Sequence, residues 1–282
     1  MTGTAFSRDQ FESVLFEHVL PVYGGHPYGE LSRKNGLDAR HSLYLELMGR
    51  AGILESGKSA VDLGGGISWL ALMLKELGLQ VTMIDDFRGG GGVNSDARAT
   101  ELLIEQFRSR GLAVHEQDLL SVDLPLADAS VDAVLSLHSL EHWHHSPRRL
   151  FREIQRVLKD GGFFLLGAPN AVNLRKRLSV LVGGTNHTPL REWYLAGDPE
   201  YRGHVREPVV RELQQLLEWN GFEVTDTIGR NFLGLDSLGH KGRLGAFASH
   251  ILSLMDPLLR LAPGLCSDIH VVGRRRRAAR SG

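Results

Sequence analysis

The spacing of apolar positions changes at Ser59. Before it, Phe11, Val14, Leu15, Val19 and Leu20 recur at helical spacing as far as Pro21. Leu43, Leu45, Leu47 and Met48 suggest a second helix ending near Gly52, and a glycine-rich polar loop, Tyr23 to Asn35, joins the two. From Ser59 onward, short apolar runs alternate with amphipathic segments, the pattern of a parallel sheet with crossover helices. It predicts strands at Ser59–Leu63, Val81–Asp85, Ala113–Glu116, Val131–Leu137 and Phe163–Leu166, with helices over Ile67–Leu77 and Ala97–Arg110. Val131–Leu137 is almost unbroken in its apolar character, as a central strand buried on both faces should be. Ser146-Pro147 reads as a capped helix start, with Leu150, Phe151, Ile154, Val157 and Leu158 as the buried stripe and Gly161-Gly162 as the stop. Asn170–Val205 fits neither period and reads as an irregular insertion rich in Gly, His, Arg and aromatics. A helix over Pro208–Asn220, stopped by Gly221, and strands at Phe222–Thr227 and Ile269–Gly273 complete the order. Leu244 to Leu261, apolar but broken by Pro257, is expected to pack over the sheet before the final strand.

The chemistry concentrates where the first strand ends. Val61-Asp62-Leu63 runs into Gly64-Gly65-Gly66, and the second strand ends in Asp85-Asp86. A glycine turn lets a ligand approach the backbone closely, and an acid at that distance suits a ribose, so a nucleoside-containing cofactor is expected. A nicotinamide site would want a third glycine where this chain has Trp69.

Composition narrows the class. With 282 residues, 42% of them hydrophobic, the chain can bury a sizeable core. A formal net charge of −1 argues against a general nucleic-acid binder. The single cysteine, Cys266, excludes an internal disulfide and suits a reducing compartment. The N-terminus shows no secretory signal and no apolar run reaches a membrane span, so a cytoplasmic protein is expected. Arg274, Arg275, Arg276, Arg277 and Arg280 read as a solvated tail. A minority reading has Leu244–Leu261 and this tail meeting a membrane surface to reach a lipid-linked acceptor.

With Val61, Asp62, Gly64 and Gly66, then Asp85, Asp118, Leu124 to Asp132, Ser139 to His142 and Glu153 to Gly162 in that order, the chain from about Arg40 to Asp226 resembles the class I S-adenosylmethionine-dependent methyltransferases, type 11-like, and bacterial enzymes of that class acting on glycans and small molecules. The first motif, apolar-Asp-x-Gly-x-Gly-x-Gly, matches Val61, Asp62, Gly64 and Gly66 and departs at Ser68. Asp85 and Asp118 match the acids after strands two and three. Leu124-Pro125-Leu126-Ala127-Asp128-Ala129-Ser130-Val131-Asp132 follows, then Ser139-Leu140-Glu141-His142, then Glu153 to Gly162 with Arg156-Val157-Leu158-Lys159 inside it. The resemblance implies a doubly wound, Rossmann-like α/β fold: a seven-stranded, mostly parallel sheet, helices on both faces and an antiparallel last strand. It implies a methyltransferase with S-adenosylmethionine as cofactor. With the helical segments over 1–58 as a cap and the arginine-rich tail at 274–282, the chain divides into that cap, a catalytic domain over 59–273 in which the resemblance implies an acceptor lid at 170–206, and the tail. The cofactor would be held by Asp62, Gly64, Gly65, Gly66, Asp85, Asp118, Leu119 and His138. Asp85 would take the ribose hydroxyls, with Asp86 as competitor, Asp118 the adenine amino group, and Asp62 the methionine ammonium or the turn. Ordinary turn stabilisation is the alternative for Asp62 and Asp118.

His138, Glu141, His142, His144 and His145 cluster after the fourth predicted strand. His138-Ser139-Leu140-Glu141-His142 spells a zinc motif, but that motif needs a helical face and here follows a strand, so no metal is expected. Ligands of open α/β sheets sit beyond the carboxyl ends of the strands, which puts the cluster at the cofactor cleft. His142 and His145 are candidate bases for an acceptor hydroxyl, with His204 from the insertion as a third. Trp193, Tyr194 and Tyr201 are candidates to stack on a sugar, and Arg175, Lys176, Arg177 and Arg206 to hold an anionic group. The leading reading is O-methylation of a sugar or other small-molecule hydroxyl by in-line transfer. N- or C-methylation of a metabolite, quinone or lipid, and an inactive cofactor-binding regulator, stand as alternatives.

Overall fold

The computed structural model describes residues 8–24, 37–88, 97–195, 203–231 and 254–276. The predicted loop beyond Gly24, the glycines Gly89–Gly92, Tyr201, the apolar stretch up to Ser253, and Arg277 and Arg280 lie outside the described residues.

Seven strands form one sheet: β1 (Ser59–Leu63), β2 (Gln80–Asp85), β3 (Ala113–Glu116), β4 (Val131–Leu137), β5 (Leu158–Pro169), β6 (Phe222–Arg230) and β7 (Asp268–Arg275). Their spatial order is β3-β2-β1-β4-β5-β7-β6. The first five pair in parallel, while β7 lies antiparallel to both β5 and β6. The chain winds outward from β1 in one direction through β2 and β3, then returns to β4 on its other side. That reversal opens a crevice beyond the carboxyl ends of β1 and β4.

Period-two alternation in β1 sends side chains to two separate cores. Val61 and Leu63 face one core with Leu150, Phe151 and Ile154 of α6 (Arg148–Val157) and Leu213 and Leu217 of α9 (Val210–Trp219). Ala60 faces the other core, built from α1 (Arg8–Val14), α2 (Leu20–Tyr23), α3 (Leu37–Arg50), α4 (Trp69–Glu76) and α5 (Ala97–Ser109). Helices therefore cover both faces, and the N-terminal helices are part of the main core. The Tyr23 hydroxyl donates to the Ile67 carbonyl at 2.8 Å, pinning α2 to the segment that follows the glycine turn.

A buried ion pair fastens α3 to the last strand. Arg40 donates to Asp268 at 3.1 Å, with both side chains shielded from water. Four residues on, the Tyr44 hydroxyl meets His270 Nε2 at 3.2 Å. The i, i+4 spacing on α3 thus matches the i, i+2 spacing on β7, each set lying on one face.

Several elements depart from the expected boundaries. The first helix does not stop at Pro21: a π-turn at Leu15–Val19 interrupts the bonding, and Pro21 falls in the first turn of α2, where no N–H is needed. The helix expected to stop at Gly161-Gly162 ends at Val157, because Leu158 turns extended and pairs with Val131, which makes β5 twelve residues long. Pro147 takes the capping position of α6 with no side-chain cap bond, so the expected Ser146 cap is not made. The insertion is not wholly irregular, holding α7 (Leu174–Leu181) and α8 (Leu190–Tyr194). Residues 254–259 are helical.

The expected arginine tail begins too early. β7 runs through Arg275. Arg274 donates to the Gly161 and Ala51 carbonyls and lies 5.3 Å from the Phe163 ring centroid, while Arg275 donates to the Leu158 carbonyl. No helix among the described residues is long and apolar enough to cross a membrane.

Replacing Arg40 with Met removes the cation that faces the buried Asp268 carboxylate. The expected loss is about 3–5 kcal/mol in urea unfolding, and a loss below about 1 kcal/mol would remove the pair from its fastening role.

Candidate active site

The glycine turn is shaped by its contacts as much as by its flexibility. Gly64 has φ +73°, and a Cβ there would lie 1.9 Å from Ser139 Oγ, so the turn after β1 packs directly on the exit of β4. Trp143 Nε1 donates to the same Ser139 Oγ at 2.9 Å and fixes it. Leu119 joins this contact, 3.3 Å from the same Cβ position. A Cβ on Gly65 would lie 2.3 Å from an Asp62 carboxylate oxygen, so Asp62 folds back under the turn.

Asp62 is 3% exposed, and neither carboxylate oxygen has a hydrogen-bond partner among the described residues. Burial, and then the charge of Asp85, push it up to about 7. Asp85 is differently placed. Its carboxylate accepts from Gly66 N at 2.8 Å and Phe87 N at 2.6 Å, closing the turn onto the end of β2. Burial raises it to about 6 against those two bonds. Asp86 instead accepts from Arg88 N at 3.0 Å, and its Oδ1 serves that local turn. Asp118 is exposed and accepts from Leu120 N at 2.9 Å and from Ser121 Oγ, the turn-stabilising arrangement weighed for it.

Ser68, the departure from the motif, has a physical use. It is extended at φ −67°, and its hydroxyl accepts from Leu70 N at 3.1 Å, capping α4. No positive φ is needed there, so glycine is not required. Trp69 is fully buried in the core.

At the mouth of β4 the histidines divide. His138 has φ +53°, and its ring lies 3.5 Å from both Glu141 Oε1 and Asp268 Oδ1. Burial, followed by the Arg40 charge, lowers it to about 3, so the imidazole is neutral. Leu140–His142 form a single 3-10 turn, in which Glu141 is 1% exposed with Oε2 unpartnered among the described residues. Burial pushes Glu141 up to about 7. His142 meets His204 edge to face, ring centroids 5.0 Å apart. His204 Nδ1 bonds Glu207 Oε1 at 2.9 Å, and that bond raises its pKa above the ordinary histidine value. His144 and His145 are exposed and stand outside this group, so His145 is not brought into it.

The insertion reaches the cleft through its backbone: Val205 N donates to the Glu141 carbonyl at 2.7 Å. The expected anion-holding set is not assembled. Lys176 pairs with Glu207, Arg206 with Glu212 at 2.6 Å, and Arg177 donates to the Val172 carbonyl, while Arg175 is exposed. Trp193 and Tyr194 are 58% and 76% exposed.

Sequence reading passed over Glu207 as a functional group. The i, i+3 spacing of His204 and Glu207 was the available signal. Arg40, Asp268 and His270 had no local signal, because each gains meaning only from a partner far along the chain.

A family model described as "Methyltransferase domain" matches residues 61–166, the stretch from the glycine turn through β5. A "probable S-adenosylmethionine-dependent methyltransferase" of Mycolicibacterium smegmatis is 29% identical over 213 residues, covering 75% of this chain and 68% of its own. A Mycobacterium tuberculosis protein of the same description is 27% identical over 156 residues, 55% of this chain and 50% of its own. The chain belongs to the class I S-adenosylmethionine-dependent methyltransferases.

Solved structures agree on the fold. A Haemonchus contortus phosphoethanolamine N-methyltransferase superposes with a TM-score of 0.52 at 17% identity, over 97% of this chain and 58% of that one. The [4+2]-cyclase SpnF superposes with a TM-score of 0.52 at 21% identity, over 84% of this chain and 81% of that one. A cyclase on this fold shows that architecture alone does not fix the reaction.

The methyltransferase should tolerate a side chain poorly at its turn. Gly64→Ala combines a positive φ with a clash on Ser139, so about 2–4 kcal/mol of stability should be lost in thermal unfolding. A neutral result would mean that the turn and the β4 exit are not packed together.

Proposed function

We propose that this methyltransferase methylates a hydroxyl oxygen of a small molecule or sugar in the cytoplasm, with the acceptor bound between the β4 exit and the insertion. The observation that carries this reading is His204, oriented by Glu207 and set against His142. A hydroxyl nucleophile must lose its proton as the new bond forms, whereas a neutral amine need not beforehand. A histidine held by a carboxylate is suited to accept that proton.

The residues of the glycine turn fit the cofactor. Asp62 offers a buried carboxylate with no hydrogen-bond partner among the described residues, directly beneath a backbone that only glycine allows. Such a group is costly unless something compensates it, and an ammonium would. S-adenosylmethionine, when bound, supplies a methyl group on a cationic sulfur that needs no further activation. Asp62 would hold its ammonium and Gly64, Gly65 and Gly66 would give the methionine portion close access to the backbone. Asp85 would use its remaining lone pairs on the ribose, with Asp118 and Leu119 at the adenine end. His138, neutral and wedged between Glu141 and Asp268, would line the wall between the two halves rather than act as a base.

Two measurements test this. Burial pushes the Asp62 carboxyl up to about 7, so below that pH it loses the charge that would attract an ammonium. Affinity for S-adenosylhomocysteine in calorimetry should therefore rise about eightfold between pH 6.0 and 7.5, and Asp62→Asn should flatten that slope. A native protein with no such slope would remove the ammonium role from Asp62. For the acceptor half, labelled-methyl S-adenosylmethionine incubated with cell extract should yield O-methylated product. His204→Ala should slow that transfer about 10²–10⁴-fold. Label found on nitrogen, or transfer undiminished in His204→Ala, would overturn the O-methylation reading.

A further inference from the structure

The acceptor-side cluster has the composition of a metal site. Glu141, His142 and His204 each present one ligand atom, and the three atoms lie within 4.8 Å of one another. Bonds of about 2.1 Å in a tetrahedron set ligand atoms roughly 3.4 Å apart, so small side-chain rotations would close the set around an ion. Glu141 supplies an independent sign. It is 1% exposed, yet its Oε2 has no partner among the described residues. A carboxylate buried in that state calls for a cation.

The neighbours are arranged as they are around metal-bound histidines. Glu207 Oε1 engages His204 Nδ1 at 2.9 Å, which leaves Nε2 as the ligating atom and fixes the ring. The Val205 N–H bond to the Glu141 carbonyl joins the two chain segments that carry the ligands. The donor set discriminates among ions. Two imidazoles and one carboxylate suit zinc and its first-row neighbours, whereas magnesium and calcium prefer oxygen alone.

We propose that Glu141, His142 and His204 bind a divalent transition-metal ion of the zinc class, with a coordination position left for an acceptor oxygen. The site is not the one its sequence spelling suggested. The H-x-x-E-H pattern would use His138 with His142, but His138 turns inward to Asp268, and the third ligand comes from the insertion. With the ion bound, both imidazoles would be ligands, and the ion would lower the pKa of a bound hydroxyl so that its proton leaves to solvent water as the methyl group transfers, in place of proton acceptance by His204. Metal binding itself does not rest on the O-methylation reading.

The test uses the full chain stripped with EDTA and titrated with zinc chloride by calorimetry, with cobalt(II) absorption as a second readout. One ion per chain is expected. His204→Ala and His142→Ala should each weaken binding at least about a hundredfold, Glu207→Gln about 10–100-fold, and His144→Ala should change nothing. S-adenosylhomocysteine affinity, measured on the same variants, should stay native, which separates failure of the metal site from failure of the cofactor reading. Glu141→Gln should abolish the cobalt spectrum. Should that variant not fold, the half-buried His204 carries the test. Absence of stoichiometric zinc, or affinity unchanged in His142→Ala and His204→Ala, overturns the proposal. Full methyl transfer by the stripped protein would leave His204 as the base and overturn only the ion's part in transfer.

Discussion

Everything chemical in this protein depends on β1 having a parallel neighbour on each side. Asp62 pairs in register with Met83 of β2 and with Leu135 of β4. Parallel pairing aligns the strands' carboxyl ends along one edge, and the chain must leave that edge in opposite directions from β1 and β4. The glycine turn and the β4 exit are thereby forced together. The contact between Gly64 and Ser139 is where they meet, and it explains why the turn needs glycine even before a ligand is considered. Asp85 then ties the same turn to β2 through the Gly66 amide. One topological reversal thus assembles residues from three strands.

Burial sets the electrostatics of the crevice. Asp62 and Glu141 are pushed up to about 7, while His138, and His41 buried on α3 edge-on to Trp69, are held near 3. All four shifts have the same principal cause, withdrawal from water, which penalises whichever form is charged. Arg40 adds to the depression of both histidines, and it is present because Asp268 on β7 anchors it. The N-terminal helices therefore do more than cover one face of the sheet. Through α3 they place a fixed cation beside the β4 exit. His204 moves the other way because Glu207 stabilises its charged form. That opposition separates a neutral wall histidine from one able to accept a proton.

The sheet was legible from sequence because its strands obey simple rules. Val131–Leu137 was found to the residue, since burial on both faces leaves an uninterrupted apolar run. Ends governed by tertiary pairing were not. Leu158 looked like the last residue of a helical stripe, and became a strand residue because Val131 lies beside it. Arg274 and Arg275 looked like solvated tail, yet their guanidinium groups reach carbonyls on β5 and near the end of α3. In the crevice, the glycine turn and Asp85 were local signals, and the structure joins them through the Gly66 amide. The approach of His204 to His142 had no such signal, because no local pattern encodes a contact between the insertion and the β4 exit.

The two halves of the crevice also differ in what fixes their position. The family match spans residues 61–166, which contain Asp62, the glycine turn, Asp85, Asp118, Glu141 and His142. It stops before the insertion that brings His204 and Glu207. The first half is built on strand ends whose positions the sheet enforces, whereas the insertion is a connection that can change without disturbing the sheet. The link between them is a backbone bond, Val205 to Glu141, so it constrains the path of the insertion without constraining its side chains. Glu141 is thus the residue at which the β4 exit and the insertion that carries His204 and Glu207 meet.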